Sequence, residues 1–306
     1  MEERIIRLLE ERGPQTGAEL REALGDDGFA QWKACVRSKR LAVRRVGRRY
    51  LRLDQRVEGY ARLSPSILRE FLTYSVVGSA EDPGALGARA DQLAARIQDI
   101  NTAKLKLAER FVSEIGARVA VTEGGEEAAG EQRFCVLLAG DIVYGMGHDA
   151  PRPERSTGRM VKGSDLDLVI IMDDAAPAEL VKRLDDAVYQ QKYRHLINPS
   201  IREEIDYTIK PFSRLKEQAA FDTFRHMVPC KILDEAVLLY GSETLYRAAR
   251  AVLVERGIPD KLAALEAAAV RSREQAERHL LDSDEGRLGH EDLYLFYTSE
   301  ESEEFE

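Results

Sequence analysis

The stretch KGSDLDLVIIMDD, residues 162–174, sets two aspartates, Asp165 and Asp167, at the mouth of an apolar run. The run DLDLVIIM reads as a buried strand, and strand side chains two residues apart leave from the same face, so the two carboxylates converge. Like charges held that close repel unless something cationic lies between them. A hard divalent cation such as Mg²⁺ takes oxygen ligands and is commonly held by one or two carboxylates together with substrate phosphates. The pair therefore asks for a sheet whose strand opens onto a cation-binding edge.

A third acid fits that demand. In REEIDYTIK, residues 202–210, the alternation puts Glu204, Asp206 and Thr208 on one strand face and Ile205, Tyr207 and Ile209 on the other. If this strand lies beside the Asp165–Asp167 strand, Asp206 completes a three-carboxylate cluster. Such a cluster suits a pair of Mg²⁺ ions that stabilise the attacking and leaving oxygens of an in-line phosphoryl or nucleotidyl transfer. Around these residues RFCVLLAGD reads as a buried strand and PAELVKRLDDAVYQQKY as a helix. AVLLYGSETLYRAARAVLVERG and PDKLAALEAAAVRSREQAERHLL lead into further helices, giving an α+β order with a helical C-terminal section.

At these residues the chain resembles the DNA polymerase β-like nucleotidyltransferase superfamily, whose members carry a Gly-Ser or Gly-Gly pair after a first strand, Asp-x-Asp on a second and an acid on a later strand. Gly140, Asp165, Asp167 and Asp206 stand at the matching places. The resemblance implies a mixed β-sheet core with flanking helices, two Mg²⁺ ions on Asp165, Asp167 and Asp206, and transfer of an NMP from an NTP to a hydroxyl. The acceptor stays open among RNA, protein and small molecules, and no oligomeric state is specified. The chain departs from the pattern at Asp141, where the family has Ser or Gly. A carboxylate there repels phosphate unless it caps a helix, so Asp141 is expected to cap a short helix beginning at DIVYGM. Gly140, Asp141 and Ser164 then line the nucleotide, with Lys162 from the inserted loop, or Arg159, as the cation on its phosphates.

The N-terminus predicts a helix over residues 2–12 ended by Gly13-Pro14, a second capped by Thr16 (GAELREALG) and a third (FAQWKACVRSK). RLAVRRVGRRYLRLD follows, read as a β-hairpin turning at Gly47. Three helices and a two-stranded wing resemble the winged helix-turn-helix family. That resemblance implies nucleic-acid contact by Lys33, Arg37 and Lys39 from the third helix and by Arg44, Arg45, Arg48 and Arg49 from the wing. Charge supports it, since residues 33–56 carry ten Lys or Arg against one acid, and phosphate neutralisation supplies most non-specific affinity. The competing use is a DNA-binding regulator in which the nucleotidyltransferase fold only senses a nucleotide.

The expected division is a winged helix at 1–56, a helical linker region at 57–121, the nucleotidyltransferase core at 122–242 and a C-terminal helical region at 243–306. Within the linker region, GSAEDPGALG separates two helices, and the second carries an apolar stripe from Leu93 through Ile100, Leu105, Leu107, Phe111 and Ile115 that packs on the core. The C-terminal region ends in the acidic tail SEESEEFE. No apolar run reaches the roughly 18 residues that cross a bilayer, so a cytoplasmic location without membrane contact is expected. Cys35, Cys135 and Cys230 lie far apart in no zinc-like spacing and read as buried thiols.

Overall fold

The computed structural model describes residues 1–25, 27–120, 133–154, 156–283 and 289–297. The loop TEGGEEAAGEQ and the acidic tail of the sequence reading lie outside them. Among the described residues no helix is long and apolar enough to cross a membrane. The fold is α+β and divides into two compact units, Met1–Gln98 with Leu265–Glu306, and Asp99–Ala264. This corrects the fourfold division, because the segment expected to be a helical linker contributes strands to the first unit.

The chain begins with α1 (Glu2–Arg12), β1 (Gln15–Thr16), α2 (Gly17–Leu24), α3 (Gly28–Arg37) and β2 (Leu41–Arg45). It continues through β3 (Tyr50–Leu53), a 3₁₀ turn (Glu58–Tyr60), β4 (Ala61–Ser64), α4 (Ile67–Tyr74), β5 (Ser75–Ser79) and α5 (Pro83–Ala120). The three helices form where expected. Thr16 accepts from the Glu19 N–H while the Glu19 carboxylate accepts from the Thr16 N–H, a reciprocal cap that fixes the start of α2.

The basic turn at Gly47 does not close a hairpin, contrary to the sequence reading. β2 pairs instead with β5, Leu41 opposite Ser79 and Arg45 opposite Ser75, giving an antiparallel sheet in the order β1-β5-β2, while β3 pairs with β4. The Val46 N–H continues the β2 ladder to the Tyr74 carbonyl at 2.7 Å, so the chain leaves Gly47 toward a different sheet. Val76 and Val77 supply the apolar centre strand, both fully buried.

Behind this sheet, α4 and α10 (Ile258–Asp282) share an ion-pair network within the first unit. Arg49 grips Glu70 at 2.6 and 2.7 Å and Glu277 at 2.7 Å, and Arg273 lies 2.7 Å from Glu277 and 3.5 Å from Glu70. Burial pushes the Glu70 carboxyl up, but the Arg49 hydrogen bonds and the Arg273, Arg49 and Arg45 charges outweigh it and hold the group below its ordinary value. A depressed carboxyl stabilises the fold above its unfolded pKa and loses that contribution as pH falls through the folded value. Glu70→Gln is therefore expected to cost about 2 kcal/mol at pH 7 and progressively less below about pH 4, as urea unfolding across that range would measure. An equal loss at pH 7 and pH 3 would assign Glu70 a packing role only.

The second unit holds β6 (Phe134–Ala139), β7 (Pro151–Pro153), β8 (Met160–Lys162), β9 (Leu166–Met172), α6 (Ala178–Ile197) and β10 (Ile205–Pro211). α7 (Phe212–Gln218), α8 (Phe224–Glu235), β11 (Val237–Gly241) and α9 (Glu243–Glu255) follow, and α11 (His290–Phe296) belongs to the first unit. One mixed sheet runs β10-β9-β6-β11, with β9 parallel to β10 and antiparallel to β6. Its core gathers Phe111, Val112 and Ile115 of α5, Val136 and Leu138 of β6, Leu168 and Ile170 of β9, Leu184 and Val188 of α6, and Ile205. Tyr207 and Ile209 pack against it, as the alternation in REEIDYTIK predicts. Of the α5 stripe, Leu107, Phe111 and Ile115 pack on this sheet as expected, whereas Leu93 belongs to the first unit, Leu105 is exposed and Lys104 is buried beside it.

Candidate functional site

The apolar run that makes β9 a centre strand also fixes where its aspartates go. In the parallel register Asp167 stands opposite Asp206, and in the antiparallel one it stands opposite Ala139, the residue before Gly140. Asp165, Asp167 and Asp206 each bring a carboxylate oxygen to within 4.8 Å of the others. Gly140 has φ +76°, and a Cβ there would fall 2.2 Å from the Asp167 Oδ2, so the turn after β6 admits only glycine against that carboxylate. The three acids thus form an all-oxygen donor set of the kind a hard divalent cation takes.

The segment between Gly140 and Asp165 is ordered by its own polar groups. No helix follows Gly140: residues 141–145 fold as successive turns closed by Val143 N–H to Gly140 carbonyl and Met146 N–H to Asp141 carbonyl. The expected capping role of Asp141 is therefore corrected, and its Oδ2 instead faces the Ser164 hydroxyl at 3.3 Å. Ser164 is buried, and its oxygen accepts from the His148 N–H at 3.1 Å. β7 and β8 pair as a small hairpin whose turn is organised by Glu154. Burial pushes that carboxyl up, but hydrogen bonds from the Ser156 and Thr157 hydroxyls and N–H groups hold it down to about 2.

This hairpin delivers Arg152, which the sequence reading missed. Its Nε donates to the Gly163 carbonyl at 2.9 Å, Nη1 lies 2.7 Å from Glu204, and Nη2 lies 3.6 Å from Asp165. A second overlooked cation, Lys192 of α6, sits 2.9 Å from Asp206. The third is Lys104, buried on α5, which donates to the Lys162 carbonyl at 2.8 Å, the Ser164 carbonyl at 2.7 Å and the Glu203 carboxylate at 2.5 Å. Lys162, expected on the phosphates, points its ammonium to the Ser200 carbonyl at 3.1 Å. Arg159 is exposed beyond the β7–β8 turn.

Among these six groups the charges do not cancel: Asp165, Asp167, Asp206 and Glu204 give −4 against +2 from Arg152 and Lys192. The consequence shows at Glu204, whose carboxyl is raised by burial and by the Asp165 and Asp206 charges, with Arg152 opposing. A further carboxylate, Glu235, accepts from the Gly140 N–H at 3.2 Å and pairs with Lys231.

In the first unit the basic candidates separate into two groups. Lys33 is buried, its ammonium donating to the Leu280 and Ser283 carbonyls, so it is withdrawn from any groove. Arg49 is committed to Glu70 and Glu277, and Arg45 lies 3.7 Å from Glu70. Arg37, Lys39, Arg44 and Arg48 are exposed. All three cysteines are free and buried, and burial raises the Cys35 and Cys135 thiols to about 12 and Cys230 to about 11. Compared with known protein families the chain matches none, and compared with curated proteins it matches none.

Proposed function

We propose that the chain is a Mg²⁺-dependent nucleotidyltransferase that moves an NMP from an NTP to a hydroxyl acceptor and releases pyrophosphate. The observation that carries this reading is the juxtaposition of Asp167 and Asp206 in register on adjacent parallel strands, with Asp165 converging on them. Mg²⁺ held by Asp165, Asp167 and Asp206 would offset the mutual repulsion of the three carboxylates and stabilise the attacking and leaving oxygens. In support, the strand that ends just before Gly140 and the strand that carries Asp206 lie on either side of the strand that carries Asp167.

In this reading the acceptor oxygen bonds to the α-phosphorus as the bond to the bridging oxygen of pyrophosphate breaks. The hydroxyl proton passes to Asp206, the most exposed of the three carboxylates. Arg152, at 2.7 Å from Glu204 and 3.6 Å from Asp165, screens these two carboxylates from each other. The first unit supports a winged-helix reading, with β5 in the place of the second wing strand. Arg37, Lys39, Arg44 and Arg48 then form its phosphate-contacting surface.

One observation favours the sensing alternative. The Gly140 amide, which phosphate would use, is taken by Glu235, so nucleotide must displace a carboxylate to bind there. Incubation with each α-labelled NTP, Mg²⁺ and a pool of cellular RNA and protein separates the two. Transfer of label to one acceptor fraction is the expected result. Saturable NTP binding with no transferred label from any nucleotide would instead establish the sensor.

A further inference from the structure

Resting on the transfer reading, we infer that the acceptor is a single-stranded nucleic acid seated on the C-terminal half of α6, with a base against Tyr189 or Tyr193 and phosphates on Arg194 and Arg202. Tyr189 and Tyr193 are 63% and 51% exposed, although large apolar rings on a helix that lines a core are ordinarily turned inward. They lie four residues apart and so share one face of α6. Lys192, adjacent to Tyr193 and three residues from Tyr189, has its ammonium 2.9 Å from Asp206. The ring-bearing face of the helix therefore borders the carboxylate proposed to take the hydroxyl proton.

Cations lie beside the rings. Residues 189–202, YQQKYRHLINPSIR, contain Lys192, Arg194 and Arg202, while the acids Asp185 and Asp186 stand one turn before Tyr189 and Glu203, Glu204 and Asp206 follow Arg202. Arg194 and Arg202 are exposed. Exposed aromatic rings interleaved with cations are the combination that binds single strands, since every base offers a stacking face and every linkage a negative charge. A protein partner has no general need of this pairing, and a second copy of this acidic chain would bring few rings and much repulsion. The tyrosine ring nearest Asp206 would hold the terminal nucleotide, leaving its hydroxyl oxygen to bond to the α-phosphorus as pyrophosphate departs.

The test uses the full chain and fluorescein-labelled single-stranded 12-mers of RNA and of DNA, with binding read by anisotropy in EDTA so that it is independent of transfer. Tyr189→Ala with Tyr193→Ala is expected to weaken binding about tenfold or more, and the corresponding Phe pair to stay within about twofold, because the ring does the stacking. Arg194→Gln with Arg202→Gln should flatten the slope of log affinity on log salt by about 1.4, two contacts at about 0.7 each. A strand ending in 4-thiouridine should crosslink within residues 189–202. Crosslinks confined to residues 33–56, an alanine pair that binds like wild type, or absence of strand binding would each overturn the inference. So would a wild-type oligomer that the alanine pair dissolves on gel filtration, which would make the rings a self-association surface. The underlying reading fails separately: strand binding that depends on the tyrosines, without NMP transfer from any NTP, keeps the site and removes the reaction.

Discussion

Asp167→Asn is expected to abolish detectable NMP transfer while leaving the protein folded. The amide has the carboxylate's shape, so the close packing of Asp167 beneath Gly140, where a Cβ would be 2.2 Å from Oδ2, is preserved. What is lost is one negative charge from the centre of the donor set, flanked in register by Asp206 on one side and Ala139 on the other. A cation site of this kind supplies several kcal/mol of charge stabilisation in the transition state. At about 1.4 kcal/mol per decade this amounts to three or four decades in rate. Stability should hold or rise slightly, because the repulsion among three carboxylates within 4.8 Å is relieved. Calorimetric titration with Mn²⁺ should show weakened metal binding in step with the lost turnover. Near-wild-type turnover in Asp167→Asn would remove the carboxylate cluster from the mechanism altogether.

The sheet was legible because its signals are local. DLDLVIIM is apolar enough to be a centre strand, and the alternation in REEIDYTIK placed Ile205, Tyr207 and Ile209 inward and Asp206 outward. Once both strands were assigned, the carboxylate cluster required only that they be neighbours. The basic turn at Gly47 was misread for the opposite reason. Leu41–Val43 and Tyr50–Leu51 have strand character, but their partners are Ser75–Ser79 and Ala61–Ser64, and nothing in the turn itself encodes that each strand pairs elsewhere. Lys33 was misassigned because a basic segment says nothing about which of its ammonium groups meets buried carbonyls.

The cations of the site were invisible on similar grounds. Arg152 stands between two prolines in a segment with neither strand nor helix periodicity, and only the β7–β8 pairing aims it at Asp165 and Glu204. Lys104 did leave a trace. Asn101, Lys104, Ala108, Phe111 and Ile115 recur at intervals of three and four, and all are buried. A lysine on that stripe signals a carboxylate or carbonyl partner inside. The apolar stripe shares Phe111 and Ile115 with this line, but Ile100, Leu105 and Leu107 lie off it.

That trace leads to the second large effect. Lys104→Met should lower stability by about 3–5 kcal/mol at pH 7, the cost of removing one partner from a buried ion pair. The lysine side chain is 5% exposed and its partner Glu203 10%, so neither charge has water to fall back on. Burial already raises the Glu203 carboxyl above its ordinary value with Lys104 opposing, and removal of Lys104 raises it further. A carboxyl raised in the folded state binds protons on folding, so the deficit is small below the unfolded pKa, near 4.3, and grows as pH rises through the folded value. Urea unfolding at pH 4 and pH 7 should therefore give a smaller difference from wild type at pH 4. Adding Glu203→Gln removes the orphaned charge and should restore most of the loss at pH 7. Transfer should not recover with it: the Lys162 and Ser164 carbonyls still lack their donor, so Asp165 and the start of the strand that carries Asp167 follow an untethered loop. A double variant that regains both stability and turnover would reduce Lys104 to a charge partner of Glu203, whereas recovered stability with lost turnover assigns it the positioning of the aspartate pair.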